Sequence, residues 1–174
     1  MKEILASILG VVVGALVTWL TQRYYRRLDV IYMLHAEFLA ERMSKVRDDV
    51  FRLVPEIHGV PFPVLGTRIE DSARLNCLWE LLGFYHRVAI LTRNKEVRMD
   101  LVPDLFGDTF VWWYTNLFQD QLKKTEWAVE DDIHWLWAWM SKHEYERGVD
   151  YRARWQRWNG RAERELAVIL KKKS

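Results

Sequence analysis

The sequence lacks what a β-protein needs: no stretch alternates apolar and polar residues over a useful length, and no repeat recurs. It has one cysteine, Cys77, so no disulfide can form within the chain, and a single thiol suits a reducing compartment. Proline is scarce, and three of the four residues (Pro55, Pro61 and Pro63) are clustered. No glycine-rich loop is present to cradle a phosphate, since Gly66 and Gly107 stand alone, and no Gly-x-Ser-x-Gly elbow occurs. Ser7, Ser44, Ser72, Ser141 and Ser174 have no base near them in sequence. These absences remove the usual hydrolase and nucleotide-binding signatures. They leave an all-α chain, expected to be no enzyme and to hold no cofactor. With 29 % charged and 50 % apolar residues, the chain has the composition of a folded protein and not of a disordered one.

What is present starts with residues 4 to 20, ILASILGVVVGALVTWL, seventeen residues without a charge. As a helix this run spans roughly 26 Å, near the short end of what crosses a bilayer, and a helix is the one form that satisfies its own amides in lipid. Lys2 and Glu3 cancel, no Ala-x-Ala site follows, and bulky Trp19 suits a membrane interface better than a peptidase site. The expectation is a retained single-pass transmembrane anchor over residues 1–27. Trp19, Tyr24 and Tyr25, with Arg23, Arg26 and Arg27, would be its interface anchors. The three arginines outweigh Lys2 and the terminal amine, which puts the N-terminus outside and the remaining chain in the cytoplasm, at a bacterial inner membrane. Ala6, Gly10, Gly14 and Thr18 recur every four residues and form a strip along which another helix can approach closely. That helix could belong to another subunit or to a second copy of the chain in a homodimer.

Residues 28–54 contain neither proline nor glycine. Ile31, Leu34, Phe38, Met43, Val46, Val50 and Leu53 share a helical face, so the anchor is expected to run on as a stalk, or to bend near Arg27-Leu28-Asp29, until Pro55 ends it. Unbroken, anchor and stalk would measure roughly 75 Å. Residues 55–66 read as a Pro/Gly connector lined by Ile57, Val60, Phe62, Val64 and Leu65. Residues 67–141 read as a small bundle. Thr67-Arg-Ile-Glu70 has the form of a capping box opening a helix to about Thr92, with Ile69, Ala73, Leu75, Leu78, Trp79, Leu82, Tyr85 and Ala89 on a broad apolar face. A polar turn over residues 93–100 precedes a helix with Pro103 in its first turn, running to about Lys124. Glu130-Asp131-Asp132 gives the next helix an acidic start. Residues 142–174 form a basic amphipathic tail that Asn159-Gly160 could interrupt.

An N-terminal anchor, a charged stalk, Leu78-Trp-Glu-Leu-Leu-Gly-Phe-Tyr-His86, then Asp104-Leu-Phe-Gly-Asp108 leading into Trp112-Trp113, resembles an uncharacterised bacterial family of small membrane-tethered helical proteins. The likeness covers about residues 5–140 and leaves out the tail. It implies the architecture and carries no activity.

Candidate chemistry is thin. Glu130 or Asp131 with His134 could put two metal ligands on one helical face, with His35, Glu37 and Glu41 opposite. A two-metal bundle needs carboxylates from four helices, and the Glu-x-x-His step does not recur, so no metal is expected. Cys77, among leucines, reads as a buried structural thiol, and His86 and His143 as surface or satisfied histidines. Two features point to contacts instead. Ten tryptophans, eight of them after residue 111, exceed what a small core hides. From Lys142 on, ten Lys/Arg face five Asp/Glu (net +5), against sixteen and nineteen before it (net −3). Arg152, Arg154, Trp155, Arg157, Trp158 and Arg161 are therefore the candidate contacts to anionic lipid headgroups or to a partner subunit. Nucleic acid is not expected as a partner, since this composition is ordinary at a cytoplasmic membrane face. The expected function is that of an accessory subunit of a larger membrane complex, of the respiratory or photosynthetic kind. The alternative is a self-contained membrane-tethered sensor or effector with a small-ligand site in the bundle.

Overall fold

A computed structural model of the chain describes residues 2–69, 71–123 and 127–171, with side chains from Leu9 onward. Among them the chain is helical throughout, with no strand. In order come α1 (Lys2–Leu39), α2 (Glu41–Ile57), α3 (Phe62–Arg68), α4 (Ser72–Arg93), α5 (Val102–Trp113), α6 (Ala128–Arg147) and α7 (Val149–Lys171). A 3₁₀ turn (Met99–Leu101) leads into α5, and α5 runs on through a π turn (Tyr114–Phe118) to Gln121.

The expected stalk is part of the core. Ile31, Leu34, Phe38, Met43, Val46, Val50 and Leu53 are all buried, although they fall on two helices. The break sits at Ala40 (φ −59°, ψ 146°) and not at Arg27–Asp29. No glycine or proline marks it. It is held by Arg47, whose guanidinium donates to the Phe38 carbonyl at 2.9 Å and lies 4.1 Å from the centre of the Phe38 ring. A carbonyl that loses its partner four residues on is thereby satisfied from nine residues on. Phe38 itself enters an aromatic cluster with Phe84 (5.2 Å), Phe106 (5.7 Å) and Tyr85 (6.2 Å). Pairs of this kind contribute about 0.5–1.5 kcal/mol each beyond the area they bury.

Pro55 does not end α2. The helix continues to Ile57, because Val54 and Ile57 are buried and the His58 N–H still reaches the Val54 carbonyl at 2.9 Å. The connector contains α3 and packs on the bundle through Ile57, Val60, Phe62 and Leu65, with Val64 exposed. The capping box does not form as read. Thr67 donates to the Val64 carbonyl, Glu70 lies outside the described residues, and Asp71 is the cap of α4, accepting from the Ala73 N–H at 2.8 Å. An aspartate one residue before the helix competes better for that amide than a threonine further back.

α2 packs on α4, α4 on α6, α6 on α7, and α7 returns onto α5, which closes the bundle. The tail is thus a wall of the fold, not a separate object. Trp155 and Ala162 are buried in the common core, and Gly160 lies inside a helix that Asn159-Gly160 does not interrupt. The α5–α7 crossing is tight: a Cβ on Gly107 would stand 2.6 Å from two ring carbons of Trp158.

Among the described residues no helix is long and apolar enough to cross a membrane. Within the expected anchor the side chains are described from Leu9, and residues 9–20 span only about 18 Å as a helix. Ile4, Leu5, Ala6 and Ile8 belong to the anchor reading, and their side chains lie outside the described residues.

Gly107→Ala should lower stability by about 1–3 kcal/mol through overpacking, measured as a shift in the denaturant midpoint. The loss should shrink when Trp158 is also changed to leucine, which vacates the contact.

Candidate functional site

Every residue from Leu9 to Arg26 is exposed, although α1 is buried from Ile31 onward along one face. Leu9, Val11, Val12, Val13, Leu16, Val17 and Leu20 each expose half or more of their surface. At 100° per residue six of these seven fall within about 140° of arc and Val11 lies opposite. Gly10, Gly14, Ala15, Thr18 and Trp19, exposed and uncharged, fill the rest of the circle, so no side of the run is charged or covered. Polar groups in the run are settled internally: the Thr18 hydroxyl donates to the Gly14 carbonyl at 2.9 Å. A Cβ at Gly10 or Gly14 would meet nothing within 4 Å, so the expected packing strip is open there, and Ala6 falls outside the described side chains. Of the expected interface anchors, Trp19, Arg23, Tyr24, Tyr25 and Arg26 are exposed and Arg27 is half-buried. Arg23 lies 5.2 Å from the Trp19 ring centre, Tyr24 and Tyr25 meet edge to face at 5.7 Å, and Arg98 lies 4.8 Å from the Tyr24 ring centre.

The α7 residues read as lipid or partner contacts divide. Arg154 turns inward, where its guanidinium holds both oxygens of the fully buried Glu144 at 2.7 Å and donates to Asp104 at 2.6 Å. Arg147 joins the same carboxylates at 3.4 and 3.6 Å. Trp155 is in the core, Trp158 covers Gly107, and Arg161 pairs with Asp108 at 2.7 Å. Arg152 and Arg157 remain exposed, with Arg152 set 5.0 Å from the Tyr145 ring centre. The net positive count of the tail was legible in sequence; that half of its arginines answer carboxylates of α5 and α6 was not. The tryptophans are better hidden than their number suggested. Trp112, Trp113 and Trp155 are buried, and Trp135, Trp137, Trp139 and Trp158 are half-buried.

Two features were missed from sequence. Between α2 and α7 lies a groove of about 500 Å³, lined by Phe51, Pro55, Val168 and Ile169 with Arg52, Arg164 and Glu165 beside them. Phe51 meets Trp112 at 5.3 Å, and the Trp112 indole donates to Glu165 at 2.7 Å. Only the pairing of α2 with α7 makes this groove, and no local pattern encodes that pairing. The second feature is the π turn. The His58 ring donates through Nδ1 to the Asn116 carbonyl at 3.1 Å, and the Gln121 amide donates to the Ile57 carbonyl at 2.6 Å. The end of α2 is thereby stapled to the end of α5. The Asn116 side chain is buried with no partner among the described residues.

The polar groups on α4 and α6 form pairs of their own. Asp132 binds His86 Nε2 at 3.0 Å and Arg93 at 2.8 Å, while the Tyr114 hydroxyl and His134 Nδ1 share a hydrogen bond of 2.7 Å. Burial, with Asp120 adding to it, pushes the Tyr114 phenol up to about 12. His86 is thus a satisfied histidine, as is His134. Glu130 Oε1 stands 3.8 Å from His134 Nε2, and no group of three metal-ligating side chains occurs among the described residues. Cys77 is half-buried where full burial was expected, and its thiol is held above its ordinary value by desolvation and by Asp49 and Glu80, which keeps it a poor nucleophile. Comparison with protein-family models, with curated proteins and with solved structures finds no match to this chain.

Glu144→Ala leaves the Arg147 and Arg154 charges without their buried partner and should cost about 3 kcal/mol, read from denaturant unfolding. A second prediction concerns pH. Desolvation, then Arg147, holds His143 below its ordinary 6.5, so the unfolded chain takes up the proton more readily than the fold. Stability present above pH 6.5 is lost as pH falls below it. His143→Phe, which can keep the stacking on Trp139, should flatten that part of the stability profile.

Proposed function

We propose that this protein is a non-catalytic accessory subunit of a bacterial membrane complex. It is anchored by residues 4–20 with its N-terminus outside and its bundle in the cytoplasm. The observation that carries the reading is the bare stretch of α1 from Leu9 to Leu20, whose uncharged residues are exposed on every side. A helix apolar on every side belongs in lipid or inside an assembly. The uncharged run of residues 4–20 lies within α1, whose backbone is helical from Lys2, and an arginine-tyrosine collar follows it directly. The open Gly10–Gly14 strip offers a seat for a helix of another subunit or of a second copy. Anionic headgroups meet the collar, and nucleic acid is no partner. The resemblance over residues 5–140 agrees with this architecture. The groove between α2 and α7 favours a second reading, a membrane-tethered sensor, since apolar walls with two arginines beside them suit a small amphipathic anion.

Membrane fractionation tests the first reading. The wild-type chain should stay in the membrane after an alkaline wash. Val12→Lys with Leu16→Lys, each costing about 2.5–3.5 kcal/mol near the middle of a bilayer, should release it. Wild-type protein that is soluble without detergent would sink the anchor. Purification in mild detergent with mass spectrometry should then find stoichiometric partner chains, lost on Gly10→Ile with Gly14→Ile; a clean monomer favours the sensor.

A further inference from the structure

Beside the collar of α1 lies a cleft of about 290 Å³ between that helix and the turn after α4, lined by Arg23, Arg26, Arg27, Asn94, Lys95 and Glu96. Four cations thus face one carboxylate. Among the described residues, no carboxylate lies within ion-pair distance of any of the four. Arg74, Arg87, Arg93, Arg147, Arg154 and Arg161 each have an acidic partner. Arg68, Arg152 and Arg157 have none among the described residues, and what sets the cleft apart is that four such cations line one cavity. Holding like charges together without a counter-ion is unfavourable, and an anion entering from outside removes the cost.

Lys95 adds an independent observation. It has φ +57°, the left-handed conformation, at the position just past a helix end where glycine is the usual residue. The closing bonds are backbone ones: Lys95 N–H to the Thr92 carbonyl at 3.0 Å and Glu96 N–H to the Leu91 carbonyl at 2.9 Å. Glycine would make both with less strain. Nothing in the turn calls for a lysine, but the cleft does, because the strained residue brings an ammonium opposite three guanidinium groups reached from about seventy residues earlier in the chain. Guanidinium forks and an ammonium together are the donor set that suits a phosphate.

A second cavity, of about 370 Å³ and lined by Trp19, Gln22, Arg23 and Arg26, shares two of these arginines and adds the Trp19 ring. A ligand seated in the cleft would therefore have apolar surface beside it. We infer that the cleft between the α1 collar and the Lys95 turn binds the phosphate of an anionic phospholipid headgroup. Its placement at headgroup depth rests on the membrane reading above; the convergence of unpaired cations does not.

The test uses the full chain in a neutral detergent, titrated with short-chain phosphatidylglycerol, short-chain phosphatidylcholine and inorganic phosphate. Phosphatidylglycerol should bind and phosphatidylcholine should not. Lys95→Gly and Arg27→Gln should each weaken phosphatidylglycerol binding about fivefold, while Arg68→Gln, a cation outside the cleft, should leave it unchanged. Lys95→Gly should also melt at the same or a higher temperature, so that lost binding cannot be lost folding. Inorganic phosphate binding as tightly as the lipid would support the anion site and assign it to free phosphate. Wild-type affinity in both cleft variants, or equal binding of the two lipids, would overturn it. Both variants keep the apolar run, so failure of the anchor appears as release of the wild-type chain, and failure of the cleft as unchanged binding.

Discussion

Phe38 and the guanidinium of Arg47 hold the rest of the molecule in place. Phe38 is where α1 stops being a bare rod and becomes part of a core, through its contacts with Phe84, Tyr85 and Phe106. Arg47 makes the break at Ala40 tolerable by covering both the ring and the orphaned carbonyl. Because the chain changes direction there, one apolar face continues from Ile31 to Leu53 across two helices and wraps α4. A straight helix would have carried Met43, Val46 and Val50 away from that core and left them in water, at about 1.5–3 kcal/mol each.

Much of this was legible from residue order. The seven apolar positions between Ile31 and Leu53 were correctly placed on one face, because a 3.6-residue period survives a break when the break preserves phase. Pro103 in the first turn of α5 and the acidic start of α6 followed from local rules that act within one helical turn. The break itself was not visible. It depends on a side chain from the next helix, and no glycine or proline points to it. Pro55 misled for the opposite reason, since a strong local breaker was overruled by the burial of Val54 and Ile57.

Charge was legible as a sum and not as a pattern of partners. The excess of Lys and Arg after residue 141 is real, but Arg154 answers the buried Glu144 and Arg161 answers Asp108, so much of that excess is spent within the fold. Arg23, Arg26 and Arg27, which have no carboxylate partner among the described residues, gather with Lys95 in one cleft beside α1. The three arginines were visible in sequence as a basic cluster directly after the uncharged run. Their neighbour Lys95 was not, because the turn that brings it back to α1 depends on how α4 lies in the bundle.

Between Ala15 and His58 the chain contains no glycine, and the second half of α1 is clamped along one face. There is accordingly no swivel between the bare half of the helix and the folded mass behind it. Whatever environment sets the inclination of the first half also sets the heading of the whole bundle, and with it which walls a neighbour can reach. The protein behaves as a keel and not as a buoy on a rope.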